Sequence, residues 1–126
     1  MDVLDSPLLL AYLGDAVMEV LVRSRVMKES KNSAEANHLA LAYVTAEKQS
    51  LAVKQGLEHL TEEEKGVFTR AKNAKANSAP RNIDVYSYRL ATGLEAVFGY
   101  NHLLGRGKRN EELFDLLFPY GDINKR

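Results

Sequence analysis

The 126-residue sequence predicts an all-α fold, and three observations carry that prediction. The three prolines, Pro7, Pro80 and Pro119, leave long stretches in which nothing interrupts a helix. Period-two runs of β-branched residues, which are typical of half-buried strands, are missing from the sequence. Residues that favour helix starts stand before several long segments of helical composition. We therefore expect residues 1–126 to form a single helical domain.

Each predicted helix begins after a residue whose side chain favours a helix N-terminus. These residues are Ser6 before Pro7, Asn32, Thr61, Asp84 and Asn110. Two of them, Asn32 and Thr61, have a glutamate three residues later, which is the spacing of a capping box. We expect the helices to extend to about Lys28, to Gln55 with a bend near Val44 and Thr45, and to about Ala74, Leu104 and Phe118. Gly56 should end the second segment, and residues 73–82 should form a loop.

Composition excludes several classes of protein. Seventeen basic and seventeen acidic residues give a formal charge of zero, which argues against a chain that is basic throughout. The absence of cysteine excludes disulfides, thiolate zinc sites and thiol nucleophiles. Two acids precede the apolar run from Leu8 to Leu13, unlike a signal peptide, and Asp15 interrupts it far short of a membrane span. A cytoplasmic location is the expectation.

The first helix carries one acid on an otherwise apolar face. At 100° per residue, the predicted core stripe consists of Leu10, Leu13, Val17, Val20 and Leu21. Asp15 lies on the opposite side, where its neighbours are also apolar: Ala11, Met18 and Val22. A carboxylate in such surroundings needs a basic side chain, a backbone cap or a metal ion as its partner. A buried salt bridge, or an exposed acid on a partly covered helix, is the alternative interpretation.

Glu95 repeats this pattern on the helix after Asp84. Its face carries small or uncharged residues, namely Tyr88, Ala91, Thr92, Gly99 and His102. Two such acids could converge to bind a divalent cation through their oxygens. With seventeen acids in the chain, accidental pairs of this kind are also common.

The charge is unevenly distributed along the chain. Residues 65–83 contain five basic residues and no acid, so the rest of the chain carries a net charge of −5. Short polar side chains are interspersed among the basic ones, a mixture that suits contacts to phosphate and sugar. We identify Arg70, Lys72, Asn73, Lys75, Arg81 and Asn82 as candidate nucleic-acid-binding residues. A solvated loop after a helix C-terminus, where cations are favoured, is the alternative.

Three motifs in order resemble a known family. Leu10-Ala-Tyr-Leu-Gly-Asp15 resembles the signature helix of the ribonuclease III endonuclease domain, and Leu94-Glu95-Ala resembles the end of its second motif. Residues 70–75 and 80–89 resemble the hallmark stretch of Mini-ribonuclease III, the bacterial branch that lacks a separate double-stranded-RNA-binding domain. The resemblance extends roughly from Leu8 to Leu104.

The resemblance implies a Mg²⁺-dependent endoribonuclease, with Mn²⁺ as a possible substitute, that cuts double-stranded RNA and leaves 5′-phosphate ends. Asp15 and Glu95 match the family's metal-binding and catalytic carboxylates, and Tyr12 matches an aromatic that packs across a homodimer. The implied role is maturation of the 23S ribosomal RNA precursor, with possible help from a ribosomal protein. Glu19 is expected to pair with Arg23 rather than to orient a water.

The sequence also departs from the full-length enzymes. Leu8 and Ala11 replace the two glutamates of the signature, and Thr92 replaces the aspartate of the second motif. These changes leave open a catalytically inactive relative that binds RNA or assists ribosome assembly. A helical dimerisation module without an RNA role is a third interpretation. Retention of both Asp15 and Glu95 favours the enzyme.

Overall fold

The computed structural model describes residues 2–74 and 84–119. Within these ranges the chain is nearly all helical and contains no strand, which confirms the all-α prediction. Short 3₁₀ turns at Val3–Asp5, Met27–Glu29 and Leu57–His59 connect the longer elements. In the described ranges no helix combines the length and apolarity that crossing a bilayer requires. The α-helices are α1 (Pro7–Val26), α2 (Ser33–Val44), α3 (Ala46–Gly56), α4 (Glu62–Asn73), α5 (Val85–Leu103) and α6 (Gly107–Leu117).

Most of the predicted helix starts are confirmed by side-chain hydrogen bonds to the first turn. Asn32, Thr61 and Asp84 each accept a bond from a backbone N–H three residues later. Ser6 occupies the N-cap position before Pro7 without such a bond. The expected bend is a complete break, because Thr45 has extended backbone and caps a separate helix, α3. As predicted, α3 ends at Gly56.

The prediction that Asn110 caps the last helix is wrong. Helix α6 already begins at Gly107, after a turn in which Gly105 has φ 74°. Asn110 is instead buried inside α6, and its Nδ2 donates a hydrogen bond of 2.9 Å to the carbonyl oxygen of Phe98 on α5. An asparagine amide can bond a neighbouring helix as readily as its own first turn, so residue type alone did not distinguish the two roles.

Helix α5 is the centre of the fold, and α1, α3 and α4 pack around it. Its residues Ala96, Val97 and Phe98 have no exposed surface. Where α1 crosses α5, two glycines allow the backbones to touch. A Cβ on Gly14 would lie 1.6 Å from the carbonyl oxygen of Glu95, and a Cβ on Gly99 would lie 2.1 Å from that of Leu10. Any larger side chain at either position would push the two helices apart.

The face of α1 that enters the core differs from the predicted stripe. Of that stripe only Leu10 is fully buried, while Val20 is 64% exposed and Leu13, Val17 and Leu21 are half-buried. The buried residues include Ala11, Gly14, Met18 and Val22, which flank Asp15 in sequence or along the helix. Both faces are apolar, so periodicity could not choose between them. The choice follows from Gly14, because only that face permits the close contact with α5.

A buried carboxylate fastens α4 to the end of the molecule formed by α5 and α6. The side chain of Glu64 is 2% exposed and receives two hydrogen bonds from Arg109, of 2.7 and 2.9 Å, and one of 2.8 Å from Asn101. Burial would raise the pKa of Glu64, but the bonds from Arg109, the Thr61 N–H and Asn101 outweigh it and lower the pKa from 4.5 to about 2. Glu64 therefore stays ionised throughout the ordinary pH range.

Candidate functional site

Asp15 on α1 and Glu95 on α5 lie side by side. Their carboxyl groups approach to hydrogen-bonding distance, and both side chains border the point at which the two helices cross. Gly14 immediately precedes Asp15, and it is the Glu95 carbonyl that Gly14 touches. Close contact of the two backbones therefore places the two carboxyl groups together. The convergence expected from the sequence is present in the structure.

The electrostatics of this pair favour a cation. Burial, the negative charge of Asp15 and the hydrogen bond with Asp15 together raise the pKa of Glu95 from 4.5 to about 8. In the part of the chain that the structure describes, neither acid forms an ion pair with a lysine or arginine. Glu95 therefore retains a proton near neutral pH unless a positive charge replaces it.

The donor set suits a hard divalent ion that keeps most of its water. Carboxylate oxygens are ligands that Mg²⁺ and Mn²⁺ prefer. Mg²⁺ commonly binds through one or two carboxylates. Within residues 2–74 and 84–119, no group of three or more histidine or acidic side chains gathers around a single point. The Thr92 hydroxyl donates to the Tyr88 carbonyl oxygen at 3.0 Å, and Ala11 has no polar group. Water would therefore complete the coordination.

A cavity of about 240 Å³ opens beside Asp15. One of its walls is formed by Glu19, whose carboxylate pairs with Arg23 as predicted. Another is formed by Gln49 at the start of α3, a residue that sequence reasoning missed. No motif marks this glutamine, since its place beside Asp15 depends on how α3 packs. The lining residues are Asp15, Met18, Glu19, Val22, Val44 and Gln49.

The candidate nucleic-acid-binding residues are only partly described. Arg70, Lys72 and Asn73 occupy the last turn of α4, where Arg70 and Asn73 are exposed and Lys72 is half-buried. The other three, Lys75, Arg81 and Asn82, lie outside the described residues.

Helix α4 runs antiparallel to α5, and this direction brings its basic end toward the start of α5. Phe68 packs against Gly93, whereas Glu64, one turn earlier on α4, bonds Asn101 further along α5. The last turn of α4 therefore lies toward the start of α5, where Arg89 is exposed. Arg89 precedes Glu95 by six positions, a rise of about 9 Å along a helix. Glu95 lies about 200° around α5 from Gly93, the residue that faces α4, so its side chain points away from α4.

The outer surface of α1 is apolar and exposed. Tyr12, the residue expected at a dimer interface, is 82% exposed, and Leu8, Leu9 and Val20 are exposed as well. Next to them lies a shallow cavity of about 340 Å³, lined partly by Leu13, Ala16, Val17 and Leu21. This surface is distinct from the inner face that contacts α5.

Comparison with known proteins connects this geometry with a family. Residues 8–106 match the family described as the Ribonuclease III domain. The chain is 37% identical to Mini-ribonuclease 3 of Clostridium tetani, covering 89% of this chain and 76% of that protein. It is 39% identical to Mini-ribonuclease 3 of Enterococcus faecalis, covering 94% and 93%. A crystal structure of a Fusobacterium nucleatum protein superposes with a TM-score of 0.80 at 35% identity, covering 91% and 93%. The chain belongs to the ribonuclease III family, whose members are endoribonucleases that act on double-stranded RNA.

Proposed function

We propose that this chain is a Mg²⁺-dependent endoribonuclease that cleaves double-stranded RNA, with Mn²⁺ able to substitute. The observation that carries the proposal is the meeting of Asp15 and Glu95 at the crossing of α1 and α5. Family membership supports an RNA substrate. Residues 1–126 would act as one catalytic domain.

Asp15 and Glu95 are the proposed metal-binding and catalytic residues. Their carboxylate oxygens would hold the divalent ion, and Glu95 would release its proton to solvent as the ion binds, because carboxylate ligands bind deprotonated. When bound, the ion acidifies water and stabilises charge on phosphoryl oxygens. In the hydrolysis, water attacks phosphorus and the 3′-oxygen of the preceding ribose leaves, so the product ends carry a 5′-phosphate and a 3′-hydroxyl.

The basic end of α4 is the proposed RNA grip. Arg70 and Lys72 would contact phosphates and Asn73 a ribose hydroxyl, together with Lys75, Arg81 and Asn82. A-form RNA presents phosphates and 2′-hydroxyls along a wide, shallow minor groove, which these side chains suit better than stacking aromatics. The exposure of Arg70 at this end of α4 supports the proposal.

A homodimer is the proposed assembly. The exposed apolar surface around Tyr12 has the character of a self-complementary helix contact, which a two-fold axis would pair with its own copy. Each protomer would then cut one strand. The proposed substrate is the 23S ribosomal RNA precursor in the cytoplasm, with a ribosomal protein as helper, as the resemblance to Mini-ribonuclease III implies.

The test is cleavage of a labelled RNA duplex in Mg²⁺ by the wild-type protein, Asp15→Asn and Glu95→Gln. We expect each variant to lose at least about 100-fold in rate, since metal-ligand losses remove most of the charge stabilisation. Glu58→Gln, an exposed acid outside the site, is the matched control. Equal activity in all four proteins would contradict the site. RNA binding without cleavage by any of them would indicate a non-catalytic member of the family. Mapping the cut sites on structured 23S precursors would test the substrate.

A further inference from the structure

Gln49 stands out in the cavity beside Asp15 because its side chain has no partner in the part of the chain that the structure describes. The residue is 5% exposed, and its backbone N–H bonds the carbonyl oxygen of Thr45. Among residues 2–74 and 84–119, no group donates to or accepts from its side-chain amide, although the side chain lines the cavity. A carboxamide offers two donors and an acceptor. The amide atoms of Gln49 are not among the fully buried unpaired atoms of the described residues, so they are open to the cavity. The amide is therefore available for a ligand or for water in the cavity.

The position of Gln49 is fixed by its helix. Thr45 caps α3 through a hydrogen bond from the Lys48 N–H, so Gln49 lies in the first turn of a well-defined helix. Helix α3 in turn packs against α5, which carries Glu95. The amide is thus held at a set place relative to both acids.

The charge of the cavity restricts what it can accept. Two of its six lining residues, Asp15 and Glu19, are acids, and no base is among them. A phosphate oxygen would be repelled there, whereas a cation or its water shell would be attracted. The volume of about 240 Å³ leaves space for several waters at roughly 30 Å³ each. A hydrated divalent ion at Asp15 and Glu95 would place water against this wall.

We propose that Gln49 is a positioning residue for the divalent ion, its amide oxygen accepting a hydrogen bond from a water that the ion binds. The inference rests on the proposed function, since it requires an ion at Asp15 and Glu95. Gln49 would add a polar group from α3 to the two carboxylates that Asp15 on α1 and Glu95 on α5 supply. Glu19, already paired with Arg23, would contribute negative charge rather than a direct bond.

The test is calorimetric titration of the RNA-free protein with Mn²⁺. We expect Gln49→Met, which keeps the length of the side chain and loses its hydrogen bonds, to weaken Mn²⁺ binding about tenfold, as losses of outer-sphere partners do. Gln49→Glu keeps the acceptor oxygen and should bind Mn²⁺ at least as tightly as the wild type. Gln55→Met makes the same change at an exposed position of α3 and should have no effect. The unfolding temperature of each protein without metal separates loss of fold from loss of affinity.

Equal Mn²⁺ affinity in Gln49→Met and the wild type would overturn the inference and leave the proposed function intact. If Gln49→Met does not fold, weaker binding by Gln49→Glu than by the wild type would overturn it equally. Where the ion binds only together with RNA, the Mg²⁺ concentration for half-maximal cleavage should show the same tenfold shift. A wild-type protein that binds no Mn²⁺ and cleaves RNA without any divalent ion would instead contradict the proposed function.

Discussion

Gly14 lies so close to the carbonyl oxygen of Glu95 that a Cβ there would be 1.6 Å from it. This contact is between backbones, so neither helix can relieve it by turning a side chain. Because Asp15 follows Gly14 directly, the same contact determines the separation of the two candidate catalytic carboxyl groups. The packing of the core and the geometry of the site thus depend on one glycine.

We expect Gly14→Ala to destabilise the protein and to impair the site. The added methyl must separate α1 from α5, and overpacking of this kind costs about 1–3 kcal/mol or more. Urea unfolding should show a lower midpoint, and Mn²⁺ binding and RNA cleavage should both fall. Gly66→Ala is the matched control, since a Cβ at that helical position meets nothing within 4 Å. That variant should gain about 0.4–1 kcal/mol of stability. An unchanged unfolding midpoint for Gly14→Ala would show that the helices adjust without cost.

The Glu64–Arg109 pair should make the free energy of unfolding depend on pH below about pH 5. The pKa of Glu64 is lowered from 4.5 to about 2 in the folded protein. Its contribution is therefore complete above pH 4.5 and is lost as the pH falls toward 2. The shift corresponds to roughly 3 kcal/mol. Urea unfolding of the wild type from pH 7 to pH 2 measures it.

Glu64→Gln isolates this effect. At pH 7 it should unfold with a free energy lower by roughly 3 kcal/mol, because it leaves Arg109 without its buried partner. The difference from the wild type should shrink toward zero near pH 2, where protonated Glu64 resembles glutamine. Glu62→Gln, at a 93% exposed side chain, should differ by less than about 0.5 kcal/mol at every pH. A pH-independent gap between Glu64→Gln and the wild type would contradict the assigned pKa.

Arg70 and Lys72 should each contribute one phosphate contact to RNA binding. Replacing either by glutamine should weaken binding of an RNA duplex, measured without divalent metal, and reduce the slope of log affinity against log salt by about one. Lys108→Gln removes an equal charge near the start of α6, at the opposite end of α5 from Arg89, and should leave the slope unchanged. Identical slopes for all the proteins would mean that this end of α4 is a solvated surface.

The apolar outer surface of α1 should mediate a dimer. A charge at Tyr12, introduced as Tyr12→Asp, should raise the dimer dissociation constant at least about 30-fold, the equivalent of 2 kcal/mol at a buried aromatic anchor. Sedimentation velocity over a range of protein concentrations measures the change. Leu41→Asp alters an exposed apolar residue of α2 and should leave the dimer intact. A wild-type protein that sediments as a monomer at every protein concentration would contradict the proposed interface.

Local features of the fold were predictable from the sequence, whereas features that depend on distant contacts were not. The capping box of Thr61 and Glu64 involves four consecutive residues, so its spacing was sufficient to find it. The burial of Glu64 against Arg109 depends on a helix 45 residues later, α6, and nothing in the local pattern indicated it. The inward face of α1 was mistaken for the same reason, since Gly14 reveals its role only against α5.

The residues of the candidate site also divide into those that the sequence identifies and those that only the fold reveals. Asp15 and Glu95 were identified because each stands alone among apolar or small neighbours and matches a family motif. Gln49 was missed because its significance lies in lacking a side-chain partner among the described residues, which no sequence pattern displays.

Each face of helix α1 has a role in the fold or in the proposed function. Its inner face touches α5, its edge carries Asp15, and its outer face presents Tyr12 and Val20. An ordinary surface helix tolerates most polar substitutions over roughly half of its positions, as we expect for α6, where Glu111 and Glu112 face solvent. In a saturation-mutagenesis screen for active protein, α1 should therefore show losses at every angle around its axis.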